Sequence, residues 1–133
     1  MPGVQPVVRY LILCEDVQYG PANPDQVTLV RLVSTIRSQE QPPFPLRHGE
    51  LCVFIQLTDC RGAGDVRVEI VSEDTGQVIF RTRARRVTFK GDPLEVLGLT
   101  FRIRGCTFPA AGLYRVEFWY NGAALAQQPL LVR

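Results

Sequence analysis

Apolar residues recur at every second position through most of this chain, and that period constrains its fold more than any other feature. Val66, Val68 and Ile70 alternate with Arg67 and Glu69. Leu97, Leu99, Phe101 and Ile103 alternate with Gly98, Thr100, Arg102 and Arg104, and Tyr114, Val116, Phe118 and Tyr120 with Arg115, Glu117 and Trp119. A period of two sends successive side chains to opposite faces, so each run reads as a strand with one face in a core and one in water. Residues 7–14, 27–36, 51–58, 78–83 and 125–132 are further strands, with 87–89 as an extension. No segment carries a 3.6-residue stripe. The one helical turn expected is at residues 93–97, opened by Asp92 as cap and Pro93 at the first position.

The turns agree with this reading. Asn121-Gly122 is a strong hairpin signal, because a type I′ turn needs positive φ at both central residues. Asp74-Thr75-Gly76 closes a second hairpin, and Arg61-Gly62-Ala63-Gly64 joins residues 51–58 to 66–72. Proline-rich residues 21–24 and 41–45 cannot donate to a ladder and read as loops. Short strands at this spacing predict an all-β, two-sheet antiparallel sandwich of seven to eight strands, a single domain over residues 1–133.

At 133 residues the chain is long enough for a core without staples. A net charge of +2 implies no polyanionic partner by itself. The apolar run at residues 7–14 is too short for a membrane span of about 20 residues, and Met1-Pro2-Gly3 lacks the basic start of a signal peptide. The expectation is a cytoplasmic protein with no membrane contact. Cys14, Cys52, Cys60 and Cys106 show no Cys-x-x-Cys spacing, and His48 is the single histidine, so no zinc site or cofactor is expected. Cys52 and Cys60 could bridge across a hairpin, but reduced thiols fit a cytosolic chain better.

Residues 108–118, Phe-Pro-Ala-Ala-Gly-Leu-Tyr-Arg-Val-Glu-Phe, resemble the late strand of immunoglobulin-like domains, where Gly-x-Tyr opens the strand at a tyrosine corner. That resemblance implies an immunoglobulin-like sandwich. Val116 stands where the second disulfide cysteine would be, and residues 51–58 carry no Trp. The resemblance therefore does not extend to the disulfide-bonded class. The whole chain also resembles a family of uncharacterised bacterial single-domain proteins of this length. Residues 13–17 (Leu-Cys-Glu-Asp-Val), Phe44-Pro45 and Phe108-Pro109-x-x-Gly112-x-Tyr114 carry that resemblance. It implies no functional residues.

Catalytic chemistry is not legible. A nucleophilic triad needs a base, and His48 reads as a solvated loop histidine. Glu15-Asp16, with Asp25 or Asp59, is the one paired-carboxylate candidate, but sequence neighbours on a strand point to opposite sides. No phosphate-cradling loop or hydrolase motif occurs.

Two surface features remain. Arg81, Arg83 and Arg85 alternate, as do Arg102 and Arg104. If their strands are neighbours in one sheet, five guanidinium groups share a face able to hold an anion; alternatively they pair with Glu69, Glu117 or Glu95. Trp119 takes the polar parity beside Arg115 and Glu117, the composition of an interface anchor, unless the loop at residues 43–45 covers it. The candidate interaction face is thus Trp119, Arg115, Arg81, Arg83, Arg85, Arg102 and Arg104. The leading reading is a non-catalytic module that binds a protein partner or a second copy of itself, using this face or the edges expected at the first and last strands. Two alternatives stand beside it. One is a small-ligand or carbohydrate module using Tyr10, Tyr19, Tyr114, Trp119 and Tyr120, and the other an enzyme with a loop-built site. Nucleic-acid binding would want more charge and more aromatics among the arginines.

Overall fold

The computed structural model describes residues 5–92 and 94–133, and no helix occurs among them. Ten strands follow in order: β1 (Val7–Tyr19), β2 (Val27–Leu32), β3 (Thr35–Ile36), β4 (Leu46–Thr58), β5 (Ala63–Ser72), β6 (Val78–Arg81), β7 (Arg85–Thr88), β8 (Leu97–Phe108), β9 (Gly112–Tyr120) and β10 (Ala123–Val132). The count exceeds seven to eight because two sequence runs are broken. Residues 27–36 divide into β2 and β3, which join different sheets, and the run after residue 78 is interrupted between Arg81 and Arg85.

The first sheet has the order β2-β1-β4-β8 and the second β3-β10-β9-β5-β6, with β7 also paired to β5. The first and last strands, expected to be edges, lie inside the sheets. β2 folds back on the second half of β1, and β3 crosses over to run parallel beside β10. The expected turn near residue 93 is a single bend: Asp92 accepts from Leu94 N through its carboxylate at 2.9 Å and from Glu95 N through its carbonyl at 3.1 Å. Pro93 itself lies outside the described residues. No helix among the described residues is long and apolar enough to cross a membrane.

The inward halves of the period-two runs meet between the sheets. Leu51, Val53, Ile55 and Leu57 of β4 face Val66, Val68 and Ile70 of β5 and Val116 and Phe118 of β9, all fully buried. Such burial is worth about 1.5–3 kcal/mol per large side chain. Asn121 and Gly122, with φ of 48° and 80°, turn β9 into β10 as the dipeptide predicts. At the other end of β9 the Tyr114 hydroxyl donates to Ala110 O at 2.7 Å while its ring meets Phe108 edge-on at 5.1 Å. The expected tyrosine corner is present.

The first sheet carries a second, smaller apolar cluster on its outer face. Beyond Cys14, β1 leaves β4 and continues with β2 as a hairpin. Val17, Val27 and Leu29 of that hairpin pack on Cys14, Cys52 and Phe54. Tyr19 ties the hairpin to β8 through a 2.7 Å hydrogen bond between its hydroxyl and Thr100 Oγ1. All four cysteines are free thiols, and the residue opposite Cys52 is Cys14 rather than Cys60.

Candidate functional site

The outer face of the second sheet is built by two copies of one triplet. Arg67-Val68-Glu69 on β5 and Arg115-Val116-Glu117 on β9 each send Val into the core and the charged pair outward. The strands are antiparallel with Glu69 directly opposite Glu117, Arg67 opposite Trp119 and Val71 opposite Arg115. Like charges facing each other across a ladder are destabilising, and both carboxylates are nearly buried, at 3% and 8% exposure. Each must therefore be matched by donors.

The matching is complete. Glu69 accepts from Arg67 at 2.6 Å and from Arg81, its partner on β6, at 3.1 Å. Glu117 accepts from Arg115 at 2.8 Å and from the Trp119 indole N–H at 3.2 Å. Arg115 also reaches Glu73 at 3.2 Å. Burial pushes the Glu69 carboxyl up, but the bonds from Arg67 and Arg81 outweigh it and hold it below its ordinary value. Three arginines thus balance three glutamates, and the network is close to neutral.

Trp119 lies on this face, half-buried, as its parity predicts. Its cover is the Arg67 guanidinium, 4.5 Å from the ring centroid, a cation–π contact. The loop at residues 43–45 does not provide it; Phe44 packs against the main core instead. Beside Trp119 and Glu117, β10 presents Ala124, Gln127 and Pro129, small or uncharged and exposed.

The other arginines are dispersed. Arg81 opposes outward Glu69 and Arg85 opposes inward Val66, so the interruption between β6 and β7 reverses the side they face. Arg85 lies 4.7 Å over the ring of Phe101, a core residue of the first sheet. Arg83 is exposed within the interruption. Arg102 and Arg104 are on the outer face of the first sheet. There Arg102 donates to Asp16 at 2.7 Å, Glu50 at 3.3 Å and Val17 O at 2.9 Å, and Arg104 lies 4.0 Å from Glu50. The five-guanidinium face does not form, because β6 and β8 belong to different sheets.

The remaining candidates do not converge either. Glu15 pairs with Arg31 and Asp16 with Arg102. His48 belongs to β4 rather than a loop, opposite core-facing Cys106, with a buried and unpartnered Nε2. No group of three or more His, Cys, Asp or Glu side chains suited to a metal occurs among the described residues. Arg67, Glu69 and Glu117 are the residues that sequence reasoning did not place in the site. The repeated Arg-Val-Glu triplet is the signal that could have found them.

No curated protein matches the chain. Among solved structures, it is similar to part of the alkylpurine DNA glycosylase AlkC of Pseudomonas fluorescens, at 12% identity and a TM-score of 0.57 over 99% of this chain and 31% of that one. It is also similar to part of a β-glucosidase of Listeria innocua, at 11% identity and a TM-score of 0.50 over 92% of this chain and 16% of that one. An immunoglobulin-like protein of Pseudomonas aeruginosa matches at 11% identity and a TM-score of 0.42, over 98% of each chain. The chain therefore spans a third or less of the two enzymes, and the likeness is one of fold. The profile of DUF6941 matches residues 9–133, and the chain belongs to that family, a family of unknown function.

Proposed function

We propose that this chain is a non-catalytic protein-binding module whose contact surface is the outer face of the second sheet, centred on Trp119. The observation that carries the reading is a half-exposed Trp held on both sides, by Arg67 over its ring and Glu117 at its indole nitrogen. Trp and Arg are the residues that most often dominate binding energy at interfaces. Holding them before contact lowers the ordering cost of binding. Because each buried carboxylate already has its cations, covering this face strands no charge. The same pairing argues against general-acid catalysis by Glu69, since a carboxyl held low in pKa cannot donate a proton near neutrality. The cytoplasm is the proposed compartment, where reducing conditions keep four unpaired thiols reduced.

The test is affinity capture from the native host with the full chain as bait, alongside light scattering of the chain alone. Trp119→Ala and Arg67→Ala are expected to weaken capture or self-association at least tenfold while thermal unfolding stays cooperative. Arg104→Glu, on the opposite face, serves as control. Equal loss with the control, or none with Trp119→Ala, removes the reading.

A second reading, a small-ligand module, is favoured by one observation. A groove of about 500 Å³ on the first sheet runs between Tyr19, Phe54, Gln56 and Glu95. Two of the five expected aromatic platforms, Tyr114 and Tyr120, are in the core, leaving Tyr10 and Tyr19 exposed at that side.

A further inference from the structure

Cys14 and Cys52 are directly opposite in the β1–β4 ladder, in a stretch whose register does not shift from Tyr10 to Cys14. Val33 N donates to Leu13 O on the β2 side. Leu13 therefore turns its polar groups away from β4, and Cys14, by strand alternation, turns its own toward β4. That makes Cys14 and Cys52 a hydrogen-bonded pair, with Cα atoms about 5.5 Å apart. Disulfides join Cα atoms over about 4.4–6.8 Å, which this pair satisfies. The Cβ atoms of a hydrogen-bonded pair are about 5–5.5 Å apart and must draw in to about 4 Å as the strands shift on opening. Cys60 and Cys106 belong to the main core instead, and Cys106 opposes His48.

Both thiols point to the outer face of the first sheet, yet both are fully buried, because the β1–β2 hairpin covers them. Cys52 Sγ lies 3.3 Å from Arg102 Nη1 and donates to Glu15 O at 3.4 Å. Apart from the packing of Val17, Val27 and Leu29, the hairpin is held to the sheet by a few side-chain bonds at its margin: Asp16 and Val17 O to Arg102, and Tyr19 to Thr100. Segments held this way open at a cost below global unfolding.

We propose that Cys14 and Cys52 are an oxidisable dithiol gated by the β1–β2 hairpin, which closes to an intramolecular disulfide with hydrogen peroxide as oxidant. The Cys52 sulfur loses its proton and attacks one peroxide oxygen, breaking the O–O bond to give a sulfenic acid and water. The Cys14 sulfur then attacks the sulfenic sulfur, and its proton leaves with the displaced hydroxide as a second water. Two thiols are oxidised and one peroxide is reduced to two waters. Burial pushes the Cys52 thiol up with the hairpin closed, and Arg102, which faces its sulfur, offsets this only in part. Desolvation, followed by the charge of Cys52, pushes the Cys14 thiol up to about 11 with the hairpin closed. The closed state is therefore the unreactive one, and lifting the hairpin sets the rate.

Peptide mapping of the peroxide-treated full chain without reductant tests this. The main link expected is Cys14 to Cys52, reversed by dithiothreitol and lost in both Cys14→Ala and Cys52→Ala. Tyr19→Phe cuts one hairpin tie and leaves the charges around the thiols in place. It is expected to speed link formation about fivefold at fixed peroxide, the effect of one exposed hydrogen bond on opening. A main link through Cys60 or Cys106, sulfinic acid without a link, intermolecular dimers as the main product, or an unchanged rate in Tyr19→Phe each overturns the proposal.

Discussion

Replacing Glu69 by Gln removes the charge at the centre of the second sheet's outer face and leaves the shape nearly unchanged. The Glu69 side chain is 4% exposed, with Arg67 at 27% and Arg81 at 59%. The bond from Arg67 is shielded from water, and a charge-assisted hydrogen bond of that kind is worth about 1.5–3 kcal/mol. The Arg81 contribution is screened and amounts to about 0.5–1 kcal/mol. The Gln oxygen can still accept one bond and the repulsion from Glu117 directly opposite is relieved, so the net loss expected is about 1–2 kcal/mol. For 133 residues, an unfolding entropy of roughly 280 cal/mol/K converts this to a melting temperature lower by about 4–7 °C.

Acidification supplies a second readout for the same substitution. Glu69 titrates below its ordinary value of 4.5 when folded. Its stabilisation is therefore complete above about 4.5 and is lost as pH falls through the lower, folded value. The parent protein should weaken over that window more steeply than Glu69→Gln. Urea unfolding at pH 7 and at a series of lower values measures both. A loss under about 0.5 kcal/mol at pH 7, or equal slopes in acid, would refute the view that this network is buried and matched rather than a solvated surface.

Two further substitutions test the frame that holds the site. Tyr114→Phe removes the hydroxyl bond to Ala110 O and should cost about 1–1.5 kcal/mol, or about 4–5 °C in melting temperature by calorimetry. Gly64→Ala would drive a methyl group into the Tyr120 ring, which is 3% exposed and hydrogen-bonded to Ala63 O. Overpacking of this kind should cost about 3 kcal/mol, read as a lower urea midpoint with unchanged slope.

The parts of the site legible beforehand were those set within one strand. Trp119 is outward because Phe118 and Tyr120 are inward, and the tyrosine corner follows from three consecutive residues, Gly112 to Tyr114. The arginines show the limit. Arg81 and Arg85 are four apart and should share a face, yet an extra residue in the interruption between β6 and β7 reverses the second relative to β5. His48 looked like a loop residue because nothing local shows that β8 pairs with β4 as far as Phe108.

The alternation of apolar and polar residues is a property of the backbone pleat, so the sequence by itself determined that the chain makes strands and, within each unbroken alternating run, which side chains go to the core. It also determined the hairpin at Asn121-Gly122, since that turn depends on two neighbouring φ angles. Which strands lie side by side depends on hydrogen bonds and buried area between residues far apart in the chain, and only the tertiary structure decided it. That choice set Glu69 opposite Glu117, brought Arg67 over Trp119, and placed Cys14 against Cys52 under a hairpin that no local pattern announces.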